Sequence, residues 1–228
     1  MTIRTLVDLK HLSVSFDESE KNILQDVSFL VKEEEIVGLV GESGSGKSTL
    51  AYVLCGLKKP NQGEVKFFTQ EIALVMQNPQ TSLDPLKSIG WTLEETLKAF
   101  LKEKKRPSLS KEERKRLLSE KLTQFDIDPK RMKDYPYQFS GGELQRICIL
   151  RALLREPKLL ILDEATSMLD VLVQAKIMRF LLQLQKKYGL TYLLISHDRE
   201  LVQLVCDRVY CIQNKNLIEH RLKGANIL

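Results

Sequence analysis

Long apolar runs are what this sequence most obviously lacks. None of its 228 residues belongs to a stretch approaching the ~20 consecutive apolar residues that cross a bilayer, and the opening MTIRTLVDLKH has no apolar segment of the kind that directs secretion. A chain soluble by itself is expected. Cysteine and histidine are also scarce. Four cysteines, at 55, 148, 206 and 211, and three histidines offer no CxxC pair and no spacing that would hold zinc, which excludes a zinc module and leaves reduced thiols of a cytosolic protein. Repeats and low-complexity linkers are absent. Charge of one sign is weak too: 35 Lys+Arg against 30 Asp+Glu leaves +5, which at this length reads as a solvated surface, not as a nucleic-acid face. The most charged stretch, KEKKRPSLSKEERKR at 102–116, is broken by Pro107 and reads as a surface loop entering a helix. What is present is 43% apolar content, enough to bury a substantial core.

The apolar pattern divides the chain. VDLKHLSVSF at 7–16 and ILQDVSFLV at 23–31 alternate as strands do, and the polar DESEKN between them suggests an antiparallel opening sheet. IVGLV at 36–40 is continuous instead, as in a parallel strand buried on both faces, and leads through GESGSGKST into the helical LAYVLCGL. From Pro85 to Pro157 the pattern is mainly helical: SIGWTLEETLKAFL, KEERKRLLSEKLTQF and GELQRICILRALLRE. LLILD at 159–163 and TYLLIS at 191–196 are two more buried strands, joined by the helical VQAKIMRFLLQLQKKYG in a βαβ crossover. RVYCIQNKNLIEHRL reads as a closing hairpin that turns at Asn214-Lys215-Asn216, where asparagine tolerates positive φ.

Gly41-Glu42-Ser43-Gly44-Ser45-Gly46-Lys47-Ser48 satisfies GxxxxGK[ST] in the strand-to-helix context that this phosphate loop requires. Gly41, Gly44 and Gly46 would let the backbone wrap phosphate oxygens, Lys47 would reach the β- and γ-phosphates, and the Ser48 hydroxyl would ligate Mg²⁺. Glu42, Ser43, Ser45 and Thr49 complete the nucleotide-binding stretch. In LLILDEATSMLD at 159–170, Asp163 ends a hydrophobic strand at the edge of a parallel sheet where ligands gather, and there it would hold Mg²⁺ through water. Glu164 follows at once and could polarise a water for attack on the γ-phosphate.

A second glycine pair, in FSGGELQR at 139–146, opens another helix and also suits an anion. FSGGELQR resembles the signature sequence of ABC-transporter ATPases. With GESGSGKST, Gln77, LLILDE, SMLD and His197 in that family's order, the resemblance covers almost the whole chain. It implies an α/β P-loop fold: a mostly parallel core sheet, an N-terminal antiparallel β subdomain and an α-helical subdomain bearing the signature. Residues 1–228 would form a single ATPase domain, with 1–77 and 158–228 as core and 78–157 as the helical part. It implies two subunits packed head to tail, so that Ser140, Gly141 and Gly142, with Glu143 beside them, close on ATP held by the other subunit's phosphate loop. Phe16 matches the aromatic that stacks on adenine. Gln77 matches the glutamine that contacts Mg²⁺ and the attacking water, Asp170 the loop that crosses the dimer interface, and His197 the histidine that touches the γ-phosphate.

Three departures from the family pattern stand out. Phe139 replaces the usual leucine, and GEVKFFTQEIALVMQ is too short for a hairpin common in relatives; Glu143 stands where glutamine is commoner and adds a negative charge, which is expected to be tolerated, since the resembling subfamily often has glutamate there and the γ-phosphate contacts fall on Ser140 and the two glycines. QNPQTSLDP, SGGELQR and DEATSMLDVLVQAKI resemble the peptide and nickel importer group. Lacking the cysteine-bearing C-terminal extension of many peptide carriers, the chain is expected to be of the nickel or metal-chelate type. Implied partners are two transmembrane permeases, a second ATPase subunit, alike or different, and indirectly a substrate-binding protein, with the chain peripheral at the cytoplasmic face of the membrane and no nucleic acid involved. The competing readings are a soluble ABC-type ATPase acting on nucleic acid or ribosomes, and a non-catalytic regulatory subunit.

Overall fold

The computed structural model describes residues 4–15, 22–166 and 171–221. Strands β1 (Thr5–Ser15) and β2 (Asn22–Lys32) pair antiparallel, and β4 (Gln62–Phe67) adds to the other side of β1, giving a three-stranded sheet. The second sheet has the order β5-β6-β7-β3-β8-β9, from β3 (Ile36–Gly41), β5 (Ile72–Val75), β6 (Leu159–Asp163), β7 (Thr191–Ile195), β8 (Arg208–Gln213) and β9 (Asn216–Arg221). Its first five strands run parallel and β9 returns antiparallel to β8. This is the α/β class expected, with an antiparallel opening sheet and a mostly parallel core.

Period-two geometry explains how the continuous apolar strands serve both faces. Val37 and Leu39, Leu159 and Ile161, and Leu193 and Ile195 point to one core, shared with the antiparallel sheet and helix α1 (Lys47–Leu54). Ile36 and Val40, Leu160 and Leu162, and Tyr192 and Leu194 point to the other. Against that second face lie α2 (Ile89–Glu103), α3 (Lys111–Gln124), α4 (Gly141–Leu153), α5 (Val171–Tyr188) and α6 (Arg199–Val205). Tyr192 is fully buried there because its hydroxyl donates to the Leu181 carbonyl at 2.9 Å. Gly38 marks the closest approach: a Cβ at that position would lie 2.3 Å from Val202 Cγ1 on α6. Among the described residues no helix is long and apolar enough to cross a membrane.

No hairpin forms between residues 63 and 77, but two strands do: β4 joins the antiparallel sheet, and four residues later β5 joins the parallel one. β5, the strand that leads to Gln77, is a half-exposed edge strand in which only Val75 is buried. The closing turn lies where expected, yet both its residues, Asn214 and Lys215, are left-handed (φ 49° and 68°), closing the Gln213–Asn216 pair with the twist that two-residue hairpins prefer.

Candidate nucleotide site

β3 delivers the chain to Gly41, and the loop 42–46 then turns into α1. Gly46 caps that helix with φ 108°, and a Cβ there would meet Leu24 Cδ2 at 2.8 Å and Ile23 Cγ2 at 2.9 Å, so the turn admits only glycine. The unpaired N–H groups of the first turn face outward from this point, which makes it an anion site by geometry. Lys47 is buried (6% exposed) and its Nζ donates to the carbonyls of Gly41 (3.0 Å) and Glu42 (2.9 Å), so it bridges the mouth of the loop. Ser45 Oγ is buried with no hydrogen-bond partner among the described residues, an orphan that a phosphate oxygen would satisfy. Glu42, Ser43 and Gly44 are exposed at the rim, and Thr49 is buried behind it.

The neighbouring strand ends supply the rest. Along β5, β6, β7 and β3 the carboxyl ends lead in turn to Gln77, to Asp163 and Glu164, to His197, and to the phosphate loop. Asp163 is 7% exposed: burial pushes its carboxyl pKa up and the Glu164 charge adds to this, while a hydrogen bond from Ser48 and the Lys47 charge oppose it. A carboxylate whose ionised form is disfavoured by burial, beside a serine hydroxyl, is a hard-oxygen pair that suits a small divalent cation.

Glu164 sits at the centre. Its backbone is left-handed (φ 47°), a strained choice for a glutamate, held by its N–H donating to the Ile195 carbonyl at 3.0 Å. Its Oε2 accepts from Gln77 Nε2 at 3.0 Å and lies 3.6 Å from His197 Nδ1, while Oε1 lies 3.8 Å from Lys47 Nζ. Lys47, Gln77, Glu164 and His197, scattered over 151 positions of sequence, thus meet around one carboxylate. An acceptor so placed, hydrogen-bonded by Gln77 on one oxygen and beside the Lys47 charge on the other, can orient a water and take its proton.

The profile of the ABC transporter family matches residues 24–167. The chain belongs to the ABC transporter family. This ABC chain is 38% identical to the nickel import ATP-binding protein NikE of Escherichia coli O6:K15:H31 (strain 536 / UPEC), over 100% of its own length and 90% of the relative's. To NikE of Escherichia coli (strain K12) it is 39% identical, covering 90% and 80%. Among solved structures, the dimeric ATP-binding cassette MJ0796 in a post-hydrolysis state with ADP and Pi superposes with a TM-score of 0.82 at 29% identity, covering 96% of this chain and 100% of that one. CbiO1 from Clostridium perfringens, part of the ABC transporter complex cbiONQ, gives 0.81 at 25% identity, covering 96% and 90%. As an ABC transporter subunit the chain hydrolyses ATP in the service of transport.

Of the other expected ABC positions, only those of the signature, 140–143, can be placed, and they stand apart from this cluster. Phe16 and Asp170 lie outside the described residues. Ser140 is exposed and caps α4; no hydrogen bond or ion pair among the described residues joins 140–143 to the loop 41–49. A full capping box holds it: Glu143 Oε2 accepts from Ser140 N (2.8 Å) and Oγ (2.9 Å), and Glu143 N lies 3.4 Å from Ser140 Oγ. Sequence reading missed the other partner. Arg131 Nη1 donates to Glu143 Oε1 at 2.6 Å. Burial pushes the Glu143 carboxyl up, but the Ser140 donors and the Arg131 charge outweigh it and hold the group below the ordinary range. No spacing rule joins residues 131 and 143 across a 3₁₀ turn; the only hint was the glutamate itself.

Proposed function

We propose that this chain is the ATP-hydrolysing subunit of an importer for nickel, another metal chelate or a peptide, working in a pair of ATPase subunits beneath two permeases at the cytoplasmic face of the membrane. The observation that carries the reading is the convergence of Lys47, Gln77 and His197 on the Glu164 carboxylate. Likeness to NikE along the whole chain favours nickel among the cargoes. The cargo would reach the permeases through a substrate-binding protein and would not touch this subunit.

In this reading the N–H groups of Gly44 to Ser48 and the Lys47 ammonium bind the β- and γ-phosphates, and Phe16 stacks on the adenine. Ser48, Asp163 and Gln77 would hold Mg²⁺, which would supply neutralising charge on the phosphate oxygens. Lys47 already points into the loop mouth, so nucleotide binding exchanges two carbonyl partners for phosphate oxygens with little rearrangement. Glu164 then takes a proton from the attacking water, Gln77 orients that water, and His197 stabilises charge at the γ-phosphate. Ser140 and the N–H groups of Gly141 and Gly142 donate to the γ-phosphate held by the opposite subunit, with Asp170 at the crossing. The core, 1–77 and 158–228, binds the nucleotide, and the helical part, 78–157, with the Gln77 loop transmits closure to the permease.

Complementation tests the arrangement. Ser140→Arg should bind nucleotide as an isolated chain but fail to close and hydrolyse, and Glu164→Gln should bind Mg-ATP and accumulate closed dimer. Mixing the two should restore ATPase activity up to that of one intact site, because one composite site takes both defects. Loss of nucleotide binding by isolated Ser140→Arg would defeat the trans assignment.

A further inference from the structure

Glu143 poses an electrostatic problem. It places a carboxylate in the first turn of α4, where, on the reading above, the γ-phosphate of the partner's ATP must arrive. Its Oε2 already accepts both the Ser140 N–H and the Ser140 hydroxyl, so it occupies the donors as a phosphate would. Two anions competing for one helix start repel unless one is neutralised and fixed in place.

Arg131 meets both needs. Its Nη1 bonds Glu143 Oε1, the oxygen turned away from Ser140, at 2.6 Å. The guanidinium cannot swing, because Nε donates to Asp134 Oδ2 at 3.0 Å, Nη2 donates to the Gln138 carbonyl at 2.7 Å, and Cζ lies over the Phe139 ring, 3.9 Å from its centroid. Arginine and glutamate are each about three-quarters shielded, with side chains 28% and 26% exposed, so solvent screens the pair only partly. Phe139, the departure from leucine, thereby acquires a use as the platform for this cation.

We propose that Arg131 is a positioning residue for the composite ATP site, holding and neutralising Glu143 so that the Ser140 hydroxyl can turn from Glu143 to the γ-phosphate on the opposite subunit. Glu143 then keeps the Ser140 N–H and Arg131 as partners, and only the hydroxyl is exchanged. The inference rests on the trans role of the signature. It deepens that role by giving this chain's signature a charge-compensated form that the sequence pattern does not reveal.

The test uses the assembled transporter in lipid vesicles, with this chain as wild type, Ser140→Arg, Arg131→Met, Glu143→Gln and the Arg131→Met/Glu143→Gln double variant. ATP turnover is measured on the assembly, and affinity for a fluorescent ATP analogue on each isolated chain. Arg131→Met should reproduce most of the turnover loss of Ser140→Arg while its own nucleotide affinity stays within about twofold of wild type, the scatter expected of a site that does not touch it. Glu143→Gln should lose less turnover than Arg131→Met, because the amide oxygen still accepts from Ser140 and no charge is left unbalanced. The double variant should return to the Glu143→Gln level, because without the carboxylate there is no charge to balance. A double variant as slow as Arg131→Met, or an Arg131→Met chain that no longer binds nucleotide, would make Arg131 a scaffold residue and overturn the inference. Normal turnover in Arg131→Met with loss in Ser140→Arg would sink the inference alone; normal turnover in Ser140→Arg would sink the trans reading beneath it.

Discussion

Replacing Lys47 with alanine isolates the phosphate loop's cation. Its Nζ makes two hydrogen bonds, to the Gly41 and Glu42 carbonyls, and stands 3.8 Å from Glu164. Glu42 is exposed and Gly41 half-buried, so water takes over both carbonyls and the loop itself loses little. Glu164 keeps Gln77 at 3.0 Å, and buried Asp163, which loses the Lys47 charge, keeps the Ser48 hydrogen bond, so the fold survives. The loss therefore falls on the nucleotide. A charged hydrogen bond to phosphate contributes roughly 1.5–3 kcal/mol, which weakens ATP binding by about 10–100-fold. Charge grows on the γ-phosphoryl oxygens during transfer, and losing one fixed donor there costs a further ~10²–10³ in turnover. Titration with a fluorescent ATP analogue reads the first quantity, phosphate release from the assembled transporter the second, and circular dichroism confirms folding. Turnover within about threefold of wild type would refute the assignment of Lys47, since no flexible charge-assisted donor to phosphate could then have been lost.

Acid should loosen the fold in a traceable way. Glu94, through hydrogen bonds from Lys98 and Arg114, and Glu143, through Ser140 and Arg131 despite burial, are held below the ordinary carboxylate range. A carboxyl depressed in the folded state contributes stability above its unfolded pKa, near ~4.3, and loses it as pH falls through the folded value. The thermal midpoint should fall on acidification below about pH 4.3 and fall less steeply in Glu94→Gln; parallel slopes would remove Glu94 from the account. Nickel ions or peptide added to the isolated chain should leave its melting unchanged, since no group of three His, Cys, Asp or Glu among the described residues could hold a metal ion. A specific shift would mean that this subunit meets the cargo itself.

The parallel core was readable because its strands are short, continuous apolar words: LLILD and TYLLI are buried on both faces and could be little else. The opening pair was readable from alternation. β4 was not, because QGEVKF is almost wholly exposed and carries only Val65 inward, so no apolar period announces it. β5 has four residues, and α6, with seven residues of which only Val202 is buried, is too short for a helical period. At the site, the phosphate loop and Asp163-Glu164 are local words and were found as such. The Glu164 cluster needed the strand order, and Arg131 needed the fold of two 3₁₀ turns, Pro129–Lys133 and Pro136–Gln138, which bring it back over Phe139. Contacts made by chain reversal leave no period in the sequence.

The strand order also turns the sheet into a ruler. Adjacent strands are locked at ~4.8 Å by their backbone ladders, so the step from the loop after β3 to Gln77 after β5 is three such divisions, ~14 Å, whatever the side chains do. His197 and Glu164 stand on interior divisions, each strand clamped from both sides, and their spacing from the phosphate loop cannot be retuned without breaking ladders. Gln77 stands on the outermost one, gripped only through β6. On the proposed reading the base and the γ-phosphate contact are thereby mounted on the interior of the scale, and Gln77, which would hold Mg²⁺ and orient the water, is mounted on its edge.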